Sequence, residues 1–372
     1  MDALDDAIAR LLAGEDAPPG AVIGVAHDGR RGFRSGGYAQ VFTERGPLPE
    51  PVPMTENVAS DLGSVTKVLA TTAALMTFVA SERLSLEAPV SALLPVARGR
   101  AVGRATLEEL LRHRAGLWEW WPVYLEAHGR EAALERVVSL PLRYPPGGGF
   151  HYSDLGFMLL GAVVEACGGA PLASVVRSRV LEPLGMSDVD FGRPAQGHAV
   201  ASSSNGDAIE RRMIETGNPY PVAVDASAFD GWRDHVLTGE VNDGNAFHGF
   251  GGVAGHAGLF APATELLRFG EGLLASLRGE GPFESEVVGA FLAPGREGCQ
   301  ALGFRVWPES GAAGHLGFPG VGVGVLPERD LAVAMVTNRL HVRGGAVRPT
   351  DDMFRIAVDA AVKMCERETS WI

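Results

Sequence analysis

The sequence predicts a mixed α/β (α+β) chain, in which an antiparallel sheet from both termini is flanked by helices and interrupted by a large, mainly helical insertion. Three observations carry this prediction. Short apolar and β-branched runs cluster towards the two ends of the chain, with Asp28-Gly29 between the first pair as a hairpin signal. The middle of the chain places its apolar residues at helical rather than strand spacing. Both extremities also carry helical patterns, over residues 2–12 and 351–365.

Taken in order, Leu4, Ala7, Ile8, Leu11 and Leu12 mark one face of the first helix, and residues 21–26 and 31–38 form the two strands of the hairpin. Helices are expected over residues 64–80, 106–112, 153–166, 171–181 and 264–277. Strands follow at 303–307, 312–318, 321–326 and 331–337, separated by Pro308, Gly320 and the turn Pro327-Glu328-Arg329-Asp330. This arrangement divides the chain into a sheet domain (1–63 and 255–372) and a mainly helical insertion (64–254), with the active-site cleft between them. Residues 202–247 are polar and poorly periodic and read as an extended loop region over that cleft. No repeat of fixed period is present, and glycine-rich runs are short loops such as Pro145-Pro146-Gly147-Gly148-Gly149.

A net charge of −13 without clustered basic residues argues against nucleic acid or an anionic membrane surface as partner. No apolar run is read as long enough to span a bilayer, and the acidic start Met1-Asp2-Ala3-Leu4-Asp5-Asp6 is unlike a secretory signal; the expectation is a cytoplasmic protein. Cys167, Cys299 and Cys365 are widely spaced and form no CxxC, which fits packing residues better than a disulfide framework or zinc site. His235, Asp243, His248 and His256 likewise match no regular metal-ligand spacing.

Of 32 basic residues only Lys67 and Lys363 are lysines. Arginine stays protonated at physiological pH, whereas a lysine loses its proton once its surroundings depress its pKa, as a general base must. Lys67 is the only charged residue between Val65 and Val79, in a helix apolar almost all round, and Ser64 lies one turn before it on the same face. A buried amine beside a hydroxyl at a helix N-terminus is an activated nucleophile; capping by Ser64, with Lys67 snorkelling outward, is the structural alternative. Tyr152, within Gly149-Phe150-His151-Tyr152-Ser153-Asp154, sits at a loop-to-helix junction that Ser153 can cap, either reaching a cleft or packing its ring. In His315-Leu316-Gly317-Phe318, Gly317 permits close backbone approach of a ligand, and the Phe318 N–H is placed to join that of Ser64 as an oxyanion hole.

Ser-x-x-Lys, then Tyr-Ser-Asp, then His-Leu-Gly, in this order, resembles the penicillin-recognising serine hydrolases: the class C β-lactamase-related esterases, amidases and DD-peptidases. Leu110-Leu111-Arg112-His113-Arg114-Ala115-Gly116-Leu117, Pro183-Leu184-Gly185-Met186, residues 251–260 and Thr337-Asn338-Arg339 are similar to family segments in the same order, so the resemblance runs from about Ala21 to the end. It implies a β-lactamase/transpeptidase-like fold, acylation of Ser64, acid and base roles shared by Lys67 and Tyr152, a substrate-binding or polarising His315, and no cofactor. Two departures stand out. Asp154 replaces the family's asparagine and, if ionised, favours protonated Lys67 and shifts the base role towards Tyr152. Leu316 replaces a threonine that in relatives helps hold a substrate carboxylate, which argues against tight β-lactam recognition.

The expectation is therefore a serine esterase or amidase acting on a small ester or amide. The stretch Gly239-Glu240-Val241-Asn242-Asp243-Gly244-Asn245-Ala246 resembles family members that cut cell-wall fragments, which points to muropeptide amides. A β-lactamase, a D-alanyl-D-alanine carboxypeptidase and a non-catalytic binding member of the fold are the alternatives. Trp118, Trp120 and Trp121, with Glu119, are placed either to stack on substrate or to pack beneath the helices. Arg339 is placed to clamp a carboxylate of substrate or of the chain.

Overall fold

Asp28 and Gly29 both adopt positive φ, 49° and 70°, as the two central residues of a type I′ turn do, and they bring His27 opposite Arg30. The computed structural model, which describes residues 2–227 and 229–366, extends this hairpin into a seven-stranded antiparallel sheet. Its strands are β1 (Gly20–His27), β2 (Arg30–Thr43), β3 (Gly46–Pro53), β4 (Arg305–Trp307), β5 (Ala312–Gly317), β6 (Val321–Leu326) and β7 (Leu331–Thr337). The spatial order is β3-β2-β1-β7-β6-β5-β4, so the first strand and the last lie side by side at the centre, paired from Ala21↔Thr337 to His27↔Leu331.

The sheet is covered on both faces. The helices used below are α1 (Asp2–Leu11), α2 (Ala73–Ala80), α3 (Asp154–Gly168), α4 (Ala208–Thr216), α5 (Ala263–Leu277) and α6 (Thr350–Glu366). Ala21, Ile23 and Val25 of β1 pack into one apolar cluster with Leu4 and Leu11 of α1 and Phe354 and Ala357 of α6. Val22 and Ala26 face the other way, into a cluster with Leu267 of α5 and Val68 and Leu69 of the nucleophile segment. Burial on both faces is why β1 reads as an unbroken apolar run instead of an alternating one. The second cluster continues without a break into the helical part, through Leu75, Leu159 and Val163.

Several elements differ from expectation. The second strand runs on to Thr43 and pairs with β3, whose sequence Gly-Pro-Leu-Pro-Glu-Pro-Val-Pro offered no strand signal. Its prolines fall at alternate positions, which removes N–H groups along a single side of the strand, and only an edge strand tolerates that. Helices Arg130–Ser139 and Ser285–Leu292 were not expected at all. The segment Gly63–Ala80 is long and apolar enough to cross a membrane, contrary to expectation; it is a core element, with 78% of it buried inside the protein.

Residues 202–247 are not simply a loop. Ser202–Asn205 pairs with Val236–Thr238, and α4 stands between them as one wall of the cleft. The polarity that hid this structure is internal. Arg233 donates from Nε and Nη2 to Asp207 Oδ1 at 3.0 and 2.6 Å, its backbone N–H donates to Oδ2 at 2.9 Å, and His248 Nε2 lies 3.0 Å from Oδ2. Burial pushes the Asp207 pKa up, but these hydrogen bonds outweigh it and bring it down to about 2. Asp207→Ala strands a guanidinium that is only 5% exposed and is expected to destabilise the protein by about 3–5 kcal/mol in urea unfolding.

Candidate active site

Two glycines bring the nucleophile segment against the end of β5. Gly63 has φ +48°, and a Cβ there would lie 2.6 Å from Pro319 Cδ and 3.2 Å from the Phe318 nitrogen. A Cβ on Gly317 would lie 2.2 Å from the Leu62 carbonyl oxygen. The close approach that Gly317 permits is thus to the chain's own backbone just before Ser64, while the residue also borders the cleft. The result places the Phe318 N–H beside the Gly63-Ser64 peptide, where a pair of backbone donors can face a developing oxyanion.

From Gly63 the chain makes a 3₁₀ turn to Val65, a π-helical turn over Lys67–Thr72, and then α2. The expected regular helix is therefore locally reshaped at the residues that carry the chemistry. Ser64 does not cap it and Lys67 does not snorkel outward. Lys67 is fully buried, and its Nζ donates to Ser64 Oγ at 2.7 Å and to the His256 carbonyl at 3.1 Å. The same ammonium forms an ion pair with Asp154 Oδ1 at 2.7 Å, at an angle too oblique for a well-formed hydrogen bond.

This environment revises the expected charge of Lys67. Burial pulls its pKa down, but the Asp154 carboxylate, with Tyr152 second, outweighs burial, and the net shift is upward. The helix N-terminus does not leave a neutral amine; the resting group is an ammonium. The Tyr152 ring centroid lies 5.1 Å from Lys67 Nζ, and burial raises its phenol pKa despite the lowering influence of Lys67 and Ser64. Its place is fixed by the start of α3: Ser153 Oγ accepts from Gly156 N at 3.2 Å and donates to the Trp118 carbonyl at 2.6 Å, which leaves Tyr152 one residue before the cap.

His315 reaches this group from behind. It is 6% exposed and is absent from the cleft lining, which Leu316, Gly317 and Phe318 supply instead. Its Nδ1 lies 2.8 Å from the Leu316 carbonyl and its ring centroid 6.0 Å from that of Tyr152. Its contacts are with the Tyr152 ring, so the direct substrate role implied by the resemblance gives way to a supporting one. Arg339 borders the cleft, yet its guanidinium donates to the Phe318 and Arg348 carbonyls at 2.8 and 2.9 Å. It holds the chain at the end of β5.

Ser64, Tyr152, Asp154, Gly317 and Phe318 open together onto a cleft of about 900 Å³, which α4 and Tyr220 also line. Of the tryptophans, Trp120 reaches this cleft, whereas Trp118 and Trp121 pack edge to face beneath it, 4.9 Å between ring centroids.

A model of the Beta-lactamase family matches residues 4–355. The chain belongs to that family, and with it to the serine hydrolases of the β-lactamase fold. It is 28% identical to the N-acetylmuramyl-L-alanine amidase of Bacillus subtilis (strain 168), over 87% of this chain and 78% of the relative. It is 27% identical to a putative D-alanyl-D-alanine carboxypeptidase of Salmonella typhimurium strain LT2, over 82% of this chain and 75% of the relative. A class C β-lactamase from Rhodobacter sphaeroides shares the fold, with a TM-score of 0.68, 20% identity and coverage of 98% of this chain and 99% of that one.

Within this β-lactamase-family site, two contributors escaped the sequence reading. His113, at φ 53°, accepts from Ser153 N through Nδ1 at 2.9 Å and sets its ring 4.6 Å from that of Tyr152. Its place three residues before Gly116, in a segment recognised only as family-like, was the available signal. His256 holds Lys67 through its carbonyl, while its Nε2 lies 2.9 Å from Asp243 Oδ1. No periodicity marks either contact.

His315 links this geometry to stability. Burial, helped by the Lys67 charge, lowers its pKa from 6.5 to about 3. The unfolded chain takes up this proton first, so the contribution is fully present above pH 6.5 and is lost as the pH falls towards about 3. His315→Gln is expected to flatten the loss of unfolding free energy in that window by about 1.4 kcal/mol per pH unit, measured by urea unfolding at stepped pH.

Proposed function

We propose that the protein is a serine amidase that cuts small peptide or cell-wall-derived muropeptide amides through an acyl-enzyme on Ser64. The observation that carries this is the buried Lys67 ammonium, 2.7 Å from Ser64 Oγ, at the head of a core helix that opens onto the cleft. A serine that only capped a helix would need no such partner.

Ser64 Oγ attacks the substrate carbonyl, and the Ser64 and Phe318 N–H groups receive the oxyanion. As the C–O bond forms, the Lys67 ammonium passes a proton to the paired Asp154 carboxylate and takes that of Ser64. The Tyr152 phenol, which lines the cleft, then protonates the leaving nitrogen as the C–N bond breaks, and takes its proton back through Lys67. Water repeats the sequence in reverse and frees Ser64. Asp154 holds Lys67 in its charged form between turnovers. The His113 and His315 rings, 4.6 and 6.0 Å from that of Tyr152, help to keep the phenol in place.

The substrate class rests on the cleft and on the relatives. Leu316 offers no hydroxyl for the carboxylate of a β-lactam, and the cleft is large enough for a sugar-peptide fragment. The amidase relative, named for the N-acetylmuramyl-L-alanine bond, aligns over most of both chains.

Labelling with a fluorophosphonate and mapping by mass spectrometry is expected to place the adduct on Ser64 and to leave Ser64→Ala unlabelled. In a panel of N-acetylmuramyl peptides, D-alanyl-D-alanine peptides, p-nitrophenyl esters and β-lactams, the highest kcat/KM is expected for the muropeptide amide; a preference for D-alanyl-D-alanine would make the protein a carboxypeptidase. Asp154→Asn removes a negative charge that raises the proton affinity of both the amine and the phenol. The rising limb of its kcat/KM–pH profile is expected at least about one unit below that of the wild type.

A further inference from the structure

Asp61 takes no part in the chemistry described above, yet it is buried directly beneath it. The side chain lies on the short strand Ser60–Asp61, which pairs with the uncharged Leu259–Ala261. One carboxylate oxygen accepts the Gly63 N–H at 2.8 Å, and the other accepts the Asn242 N–H at 2.6 Å. The first bond holds the turn that carries Ser64; the second reaches Asn242, in a segment of chain that also lines the cleft.

That segment is itself tied into the wall that α4 forms. Asn242 Nδ2 donates to Ser204 Oγ at 2.6 Å, and Arg233, locked to Asp207 at the start of α4, donates to the Val241 carbonyl at 2.7 Å. The next residue, Asp243, meets His256, whose carbonyl receives Lys67. Consecutive residues of one loop therefore brace both halves of the nucleophile pair, Asn242 through Asp61 to Ser64 and Asp243 through His256 to Lys67.

We propose that Asp61 is a positioning residue, whose carboxylate holds the Ser64 turn in register with the substrate-facing wall by accepting the Gly63 and Asn242 N–H groups together. A side chain with two acceptor oxygens and no donor is needed there, because two N–H groups converge on it. Asparagine has the shape but presents an NH₂ to one of those donors. Misaiming the turn shifts the Ser64 hydroxyl and the Ser64 N–H at once, which slows the chemical step more than it weakens substrate binding.

The same contact is sensitive to pH. Burial raises the Asp61 carboxyl to about 6 against the lowering effect of its two backbone donors; Asp243 and Arg233 are the charged groups that face it, the first raising and the second lowering. Protonation below that value leaves one oxygen a donor and breaks one of the two bonds.

This proposal rests on acylation of Ser64, and the test separates the two. Asp61→Asn is compared with wild type by rate of fluorophosphonate labelling at Ser64, by p-nitrophenyl ester hydrolysis and by melting temperature. The expected result is a fall in kcat and labelling rate of about ten-fold or more, with KM within about two-fold and the fold retained. The wild-type labelling rate is expected to break downward as the pH falls through about 6, and the variant to lack that break. Equal labelling of wild type and variant overturns the role of Asp61 alone. An unlabelled wild type overturns it together with the Ser64 mechanism. Should the variant fail to fold, the wild-type profile decides: no break near pH 6 overturns the proposal.

Discussion

The buried charge on Lys67 is the constraint around which the site is organised. An ammonium removed from water is tolerated only where several groups replace its hydration, and here Ser64, the His256 carbonyl and Asp154 do so. Those partners come from the nucleophile turn, from the loop before the strand Leu259–Ala261 and from the first residue of α3. Meeting the needs of one side chain therefore fixes three parts of the chain relative to one another. Cleft geometry and charge compensation are in this sense the same problem.

The central sheet makes that convergence possible. With β1 and β7 adjacent, the two ends of the chain close on each other, and the helical part is held as an insertion between strands on either side of them. β5 then delivers Phe318 to the nucleophile turn through contacts that leave no room for a Cβ at Gly63 or Gly317. The glycines serve contacts between backbones, and the result is that the Phe318 nitrogen lies beside the turn that carries Ser64.

The exchange of the family's asparagine for Asp154 changes the electrostatics more than the shape. A neutral amide at this place would lack the charge that does most to offset burial at Lys67; the carboxylate supplies it. The enzyme accordingly rests with its amine protonated and must move that proton before or during attack. Tyr152, neutral and with the His113 and His315 rings near its own, is the group through which the proton can reach the leaving atom.

Much of this was legible in the sequence, and what was not has a physical cause. Local pattern determined the terminal strands and most of the core helices, because amphipathic spacing and turn residues act over a few positions: Asp28-Gly29 makes its turn with no help from elsewhere. The rarity of lysine singled out Lys67, and motif order linked it to Tyr152 and Asp154. Structure inside residues 202–247 was hidden because its polar residues satisfy one another in the interior, as Arg233 and Asp207 do, and so imitate a solvated loop. The strand β3 was hidden because its prolines are admissible only at a sheet edge, and edges exist only once the sheet is assembled. The protonation of Lys67, the place of His315 behind the cleft lining, the engagement of Arg339 with backbone carbonyls, and the contact of Asp61 with the Ser64 turn all depend on distances between residues far apart in the chain. Sequence alone determined which groups were present; only tertiary packing decided which charges meet, because burial and pairing energies belong to neighbours in space.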